Sequence, residues 1–350
     1  MVPTNMDSVT QMLFGATVAQ AGFRRTLGRK AIAAGALIGI VPDLDVVVGW
    51  VAGPFANWEH HRGLTHSIFF GPLAGPLIGW GLWRLHRRLT RDRADVRDGE
   101  TLRAWIWLAV LTLITHPLID LFTSYGTQLL WPLTTTRFAV DALPIIDPVY
   151  SLTLMAVLLF GALARSKARL AQDTAGAVLI AIGAYTLAGW AINDRVERIA
   201  AADFGRPAAV NAYPLLFLPY YRRVVAATPE ATHVGYYSIL NPGPVTWRAY
   251  PREDEPSIAL VRDTPEAALF DWFSMGHVLW RTVPTPDGGI RVEATDLRYG
   301  LPGETDRGFW GITAGVGADN RLSGQVEVFR LPRNATGAAL RQFWSDMTGW

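Results

Sequence analysis

The chain has 350 residues, half of them hydrophobic and 18% charged, with a formal net charge of +2. That length accommodates two domains, and the near-balanced charge gives no electrostatic case for nucleic acid as a partner. Cysteine is absent, which excludes a disulfide framework and any thiolate metal site.

Taken in order, the apolar stretches crowd the first 192 residues. A stretch over about Val9 to Phe23 is short and carries Gln11 and Gln20; a thin span, a re-entrant piece and an interfacial helix all fit it. No basic leader precedes it, so a cleavable signal peptide is not expected. Five further stretches approach the roughly 20 apolar residues that a helix needs to cross a bilayer. They run over about Ala31 to Ala52, Ser67 to Trp83, Ala104 to Phe122, Pro148 to Ala164 and Ala175 to Ile192. The expectation is an all-α transmembrane bundle of five or six helices over residues 1–192, followed by a β-rich soluble domain over 193–350.

The loops set an orientation. Arg24, Arg25, Arg29 and Lys30 lie in one; Arg84, Arg87, Arg88, Arg91, Arg93, Arg97 and Arg103 in another; Arg165, Lys167 and Arg169 in a third. The alternate loops carry only Arg62 and Arg137. The positive-inside rule places the arginine-rich loops in the cytoplasm, so the other loops and the domain after Asn193 are expected outside. The arginine run from 84 to 103 reads as a solvated loop facing anionic lipid.

Polar residues interrupt the apolar stretches where a membrane makes them costly, which marks them as functional candidates. Asp43 and Asp45 follow Pro42; in a regular helix they point about 200° apart, and they reach one site only if the helix is broken there. The next loop reads Trp58-Glu59-His60-His61-Arg62-Gly63-Leu64-Thr65-His66-Ser67, in which Gly63 permits a turn between imidazoles. Imidazole is a favoured ligand for zinc and its neighbours. His116 and Asp120 stand four apart, hence on one helical face, and can share a metal. With the expected topology nearly all of these groups fall near the outer leaflet, together with Asp141 and Asp147 and, if the first segment spans, Asp7 and Gln11. A lone membrane histidine is usually a packing group; the constellation favours a metal over a metal-free proton path or plain packing.

These pieces resemble the YdjM/YbcI-like family of inner-membrane proteins, described as membrane-bound metal-dependent hydrolases. The matching motifs are Pro42-Asp43-Leu44-Asp45, His61-Arg62-Gly63-Leu64-Thr65-His66-Ser67, His116-Pro117-Leu118-Ile119-Asp120 running on to Pro132, and Ile146-Asp147-Pro148. The resemblance covers about residues 7–190 and implies a metal site of Asp43, Asp45, His61, His66, His116 and Asp120. Many relatives carry a histidine after the threonine of the first segment; here Thr10 is followed by Gln11, which leaves the number of metals open.

The expected cofactor is a divalent metal, zinc first and manganese second, as one ion or a pair. Asp45 is a candidate general base or a support for a histidine, and Arg62 a candidate clamp for an anionic substrate group, with pairing to Glu59 or a lipid phosphate as its plain role. A site at that depth implies hydrolysis of an ester or phosphoester in a lipid or amphiphile, with membrane lipids as partners. The competing readings are a proton- or ion-coupled transporter and a noncatalytic scaffold with a structural metal.

In the C-terminal half, Val234 to Leu240, Ile290 to Ala294, Phe309 to Val316 and Gly324 to Phe329 read as antiparallel strands, and Asn193 to Phe204 as a short helix. Tyr213 to Tyr221 suits either a membrane interface or a β core. Asp271-Trp272-Phe273, Trp280 and Trp310 suit either core or binding roles.

Overall fold

The computed structural model describes residues 6–90, 98–164, 166–204, 209–286, 288–300, 308–330 and 344–345. Arg91, Arg93, Arg97 and Arg165, which enter the orientation argument, lie outside them, as does the side chain of Asp7. The chain forms two compact units: residues 1–47 with 60–188, and residues 48–59 with 189–350.

The first unit is helical. Its elements are α1 (Met6–Gly22), α2 (Arg24–Leu27), α3 (Lys30–Ile40), a 3-10 turn (Pro42–Asp45), a second 3-10 turn (Leu64–His66), α6 (Phe70–Thr90), α7 (Asp98–Leu121), α8 (Pro148–Leu163) and most of α9 (Ala168–Ala201). Between the two turns come α4 (Val46–Ala52) and α5 (Pro54–His60). The chain is therefore cut into more helices than the five or six expected. Pro42 interrupts the stretch that reads as one span, because proline removes a backbone donor, and Gly53, at a positive φ of 93°, separates α4 from α5.

Among the described residues, three helical stretches are long and apolar enough to cross a membrane: Lys30–Ala52, Asp98–Leu121 and Ala168–Ala201. The apolar α8 is shorter. The last span and the short helix expected after it are one continuous α9, since no glycine or proline falls between Gly189 and Ala201.

Ala19, Leu27, Ala31, Ile38, Trp105, Leu108, Ala109 and Leu113 form one buried core where α1, α2, α3 and α7 meet. Glycines let the backbones approach. A Cβ on Gly35 would strike the Gly15 carbonyl, and Gly71, Gly75 and Gly79 of α6 seat Ile114, Val110 and Ile106 of α7. This is the small-residue seam that membrane helices use where lipid offers no hydrophobic drive to associate. A second cluster joins Ala142, Leu143, Tyr150, Leu154 and Ile182. Asp147 belongs to α8: it accepts from the Tyr150 amide at 3.1 Å as an N-cap, with Pro148 at the first position.

The second unit carries two four-stranded antiparallel sheets. One holds β1 (Ala209–Leu215), β2 (Leu218–Ala227), β3 (Ala231–Ser238) and β4 (Arg248–Pro251); the other holds β5 (Val278–Pro284), β6 (Ile290–Asp296), β7 (Trp310–Val316) and β8 (Leu322–Arg330). Each of the four expected strands falls on one of these. Two short helices, α10 (Pro256–Arg262) and α11 (Pro265–Phe273), separate the sheets in sequence. Tyr213 and Tyr221 are both buried, so that aromatic stretch is the β1–β2 hairpin and part of a β core. Tyr213, Val225 and Val234 from the first sheet meet Leu279 and Leu297 from the second half.

Candidate metal centre

The break at Pro42 has a direct consequence. Because Pro42–Asp45 is a 3-10 turn and not a continuous helix, Asp43 and Asp45 both serve one cluster. The histidine loop is pinned in a way the sequence does not suggest. Its left-handed residue is Arg62, at φ 61°, while Gly63 sits at φ −99°. That Arg62 conformation is uncommon for a residue with a side chain. It is held by three contacts: the Arg62 amide donates to Asp45 Oδ2 at 3.1 Å, its carbonyl accepts from the Gln128 amide at 2.9 Å, and its guanidinium turns inward. Gly63 is needed for space, since a Cβ there would press on the His60 carbonyl.

The imidazole tautomers follow from their partners. His116 Nδ1 lies 2.8 Å from the Gly39 carbonyl oxygen, which can only accept, so Nδ1 carries the hydrogen. His66 Nδ1 lies 3.1 Å from Asp45 Oδ2, with the same result. In each neutral ring Nε2 then presents a lone pair. These two nitrogens face each other at 3.1 Å, and Asp43 Oδ1 lies 3.5 Å from one and 3.4 Å from the other. With both rings neutral, three lone pairs converge. Ligands bound tetrahedrally at about 2.1 Å stand about 3.4 Å apart, so the triangle has the dimensions that a cation of zinc's size requires. Asp120 Oδ2 flanks it, 3.2 Å from His66 Nε2 and 3.7 Å from His116 Nε2.

A model of the YdjM inner membrane protein family matches residues 6–196, over half of the chain. The chain belongs to the YdjM family. It is similar to the inner membrane protein YbcI of Escherichia coli (strain K12), with 33% identity over 122 residues, 32% of this chain and 62% of that relative. The chain thus covers less than two thirds of the relative's length. No solved structure matches it. Family membership and the three candidate spans make this an inner membrane protein, and every residue of the cluster lies inside the YdjM-matched region.

The six residues that the resemblance implies are brought into one neighbourhood but not into one shell. Asp43, His66 and His116 form the triangle, and Asp120 stands beside it. Asp45 stands behind: its Oδ1 takes His61 Nδ1 at 2.6 Å, and its Oδ2 takes Thr65 Oγ1 at 2.9 Å as well as His66 and the Arg62 amide. His61 is buried edge-on to His66, with ring centroids 5.7 Å apart. Glu59 and His60 are exposed. Arg62 is buried; its Nε lies 3.1 Å from Asp120 Oδ2, its Nη1 donates to Thr123 Oγ1 at 2.8 Å, and it lies over the Tyr125 ring.

Gln11 donates through Nε2 to Asp120 Oδ1 at 3.0 Å. It therefore holds a site carboxylate by hydrogen bonding. Ser8, which sequence reasoning missed, donates to Asp43 Oδ2 at 2.7 Å; its place three residues before Gln11 on α1 was the available signal. The Gly39 carbonyl, a backbone group, left none.

Proposed function

We propose that this YdjM-family chain is a metal-dependent hydrolase that cleaves an ester or phosphoester in a lipid or amphiphile. The convergence of Asp43 Oδ1, His66 Nε2 and His116 Nε2 carries this reading. When bound, a divalent metal ion supplies Lewis acidity and lowers the pKa of water.

The chain's own groups divide the remaining work. Asp45, with both oxygens engaged, holds His66 in its ligating tautomer. The general-base role first considered for Asp45 passes to Asp120, whose Oδ2 faces the triangle. Arg62 orients Asp120, with Nε 3.1 Å from Oδ2. An apolar cavity of about 300 Å³ supports the lipid class of substrate. It is lined by Phe14, Leu118, Ile119, Tyr150, Ile182 and Leu187. The arginine asymmetry of the loops supports placing the site toward the outer leaflet and the C-terminal domain outside.

The test is elemental analysis of the purified protein, followed by incubation of the zinc- or manganese-loaded form with a panel of phospholipids and lipid-linked phosphates. About one ion per chain and turnover lost in His116→Ala are expected. Absence of bound metal, or a panel left uncleaved by wild type, defeats the proposal. Single cysteines introduced into this cysteine-free chain at β-domain positions test the side: labelling of intact cells by an impermeant maleimide is expected.

A further inference from the structure

Residues 48–59 divide the metal-site sequence: Asp45 lies just before them and His61 just after. Yet they group with the C-terminal unit and not with the helical unit on either side of them. Within that unit Trp58 is only 5% exposed. Its ring stacks on Phe273 at 5.0 Å and 15°, lies 5.2 Å from Phe270, and meets Phe55 edge-on at 5.5 Å. The seat is itself held: Arg298 Nη2 donates to the Phe273 carbonyl at 3.0 Å, and Arg298 pairs with Asp296 at 2.7 Å, both fully buried.

The two ends of the excursion are tied together. Asp45 Oδ1 holds His61 Nδ1 at 2.6 Å and Asp45 Oδ2 holds the Arg62 amide at 3.1 Å. Trp58 is three residues from His61, a reach of at most about 10 Å of chain. The segment is thus a loop closed at its base by site residues and gripped near its end by aromatics of the C-terminal domain. Phe270 and Phe273 lie beyond the YdjM-matched region, which ends at residue 196.

We infer that the C-terminal domain sets the register of the metal-site loop through Trp58, which acts as a positioning residue for His61, Arg62 and His66. The inference rests on the loop geometry and stands apart from the hydrolase reading. A tryptophan serving only the core of its own unit would, on truncation, lower the stability of that unit and leave the loop amides unchanged.

The test is hydrogen exchange on the full-length protein in detergent, comparing wild type, Trp58→Ala, Trp58→Phe and Phe273→Ala. In Trp58→Ala the amides of Arg62 and His66 are expected to exchange about tenfold faster as the loop opens locally, with recovery in Trp58→Phe. Phe273→Ala, which alters the seat from the other side, is expected to act in the same direction and serves if Trp58→Ala fails to fold. Zinc affinity is expected to fall about tenfold in parallel, as for other supports of a ligating residue. Unchanged exchange at Arg62 and His66 in the folded variants overturns the inference. Should wild type bind no zinc, the metal reading fails while the exchange result still decides this one.

Discussion

The Gly39 carbonyl accepts from His116 Nδ1 at 2.8 Å, and this one bond turns the His116 lone pair toward His66. Gly39 can stand there because it has no side chain: a Cβ would press on the Gln11 backbone of α1. Gly39→Ala is therefore expected to push α3 from α1, misplace the carbonyl and weaken zinc binding about tenfold, as loss of a ligand's support does. His116→Ala is expected to abolish it. Titration against a chelating dye measures both; wild-type affinity in Gly39→Ala removes the carbonyl from the account of the site.

Asp43 and Asp45 differ in kind although two residues apart. Asp43 offers Oδ1 to the triangle, whereas Asp45 spends its oxygens on His61, Thr65, Arg62 and His66. Asp43→Ala is expected to eliminate zinc binding. Asp45→Asn, which keeps shape but loses charge, is expected to weaken it about 10- to 100-fold. Equal losses in the two variants would place both carboxylates on the ion.

Much of the site is legible in the sequence because it follows from short-range rules. The four-residue spacing of His116 and Asp120 survives Pro117, and Pro42 announces the break that brings Asp43 and Asp45 to one place. What is not legible is which loop side chains face inward. That is decided by Arg62 taking a left-handed conformation, and glycine at 63 points to the wrong turn residue. Nor does local sequence show that residues 48–59 leave the helical unit, since the partners of Trp58 come from α11, far along the chain. Span counting falls short as well. Arg84, His86, Arg87 and Arg88 lower the hydropathy of α6, while Gly71, Gly75 and Gly79 seat it on α7.

That seam gives a prediction with an internal control. A Cβ at Gly79 would collide with the Ile106 backbone, whereas Gly81, on the same helix, has nothing within 4 Å. Gly79→Val is expected to destabilise the helical unit by about 1–3 kcal/mol through overpacking. Gly81→Val is expected to be nearly neutral. Thermal melts in detergent, followed by retention of the folded monomer or oligomer peak, separate them. Equal melting of the two variants would mean that α6 and α7 are not packed through this face.

His277 gives the C-terminal domain a pH dependence of its own. Burial first, and then the nearby Arg298 guanidinium, push its pKa down from 6.5 to about 4, with Asp296 opposing. The unfolded chain therefore binds the proton more readily than the folded one between those values, and stability rises with pH across that window. On acidification from pH 7 the loss begins near 6.5, reaches about 2 kcal/mol at pH 5 and is complete near pH 4, at 1.36 kcal/mol per pKa unit. Tryptophan fluorescence melts of the full-length protein at pH 7 and pH 5 measure it. His277→Gln, which cannot be protonated, is expected to reduce the difference between the two pH values by about that amount. An unchanged difference would assign the acid sensitivity to other groups and leave His277 without a part in it.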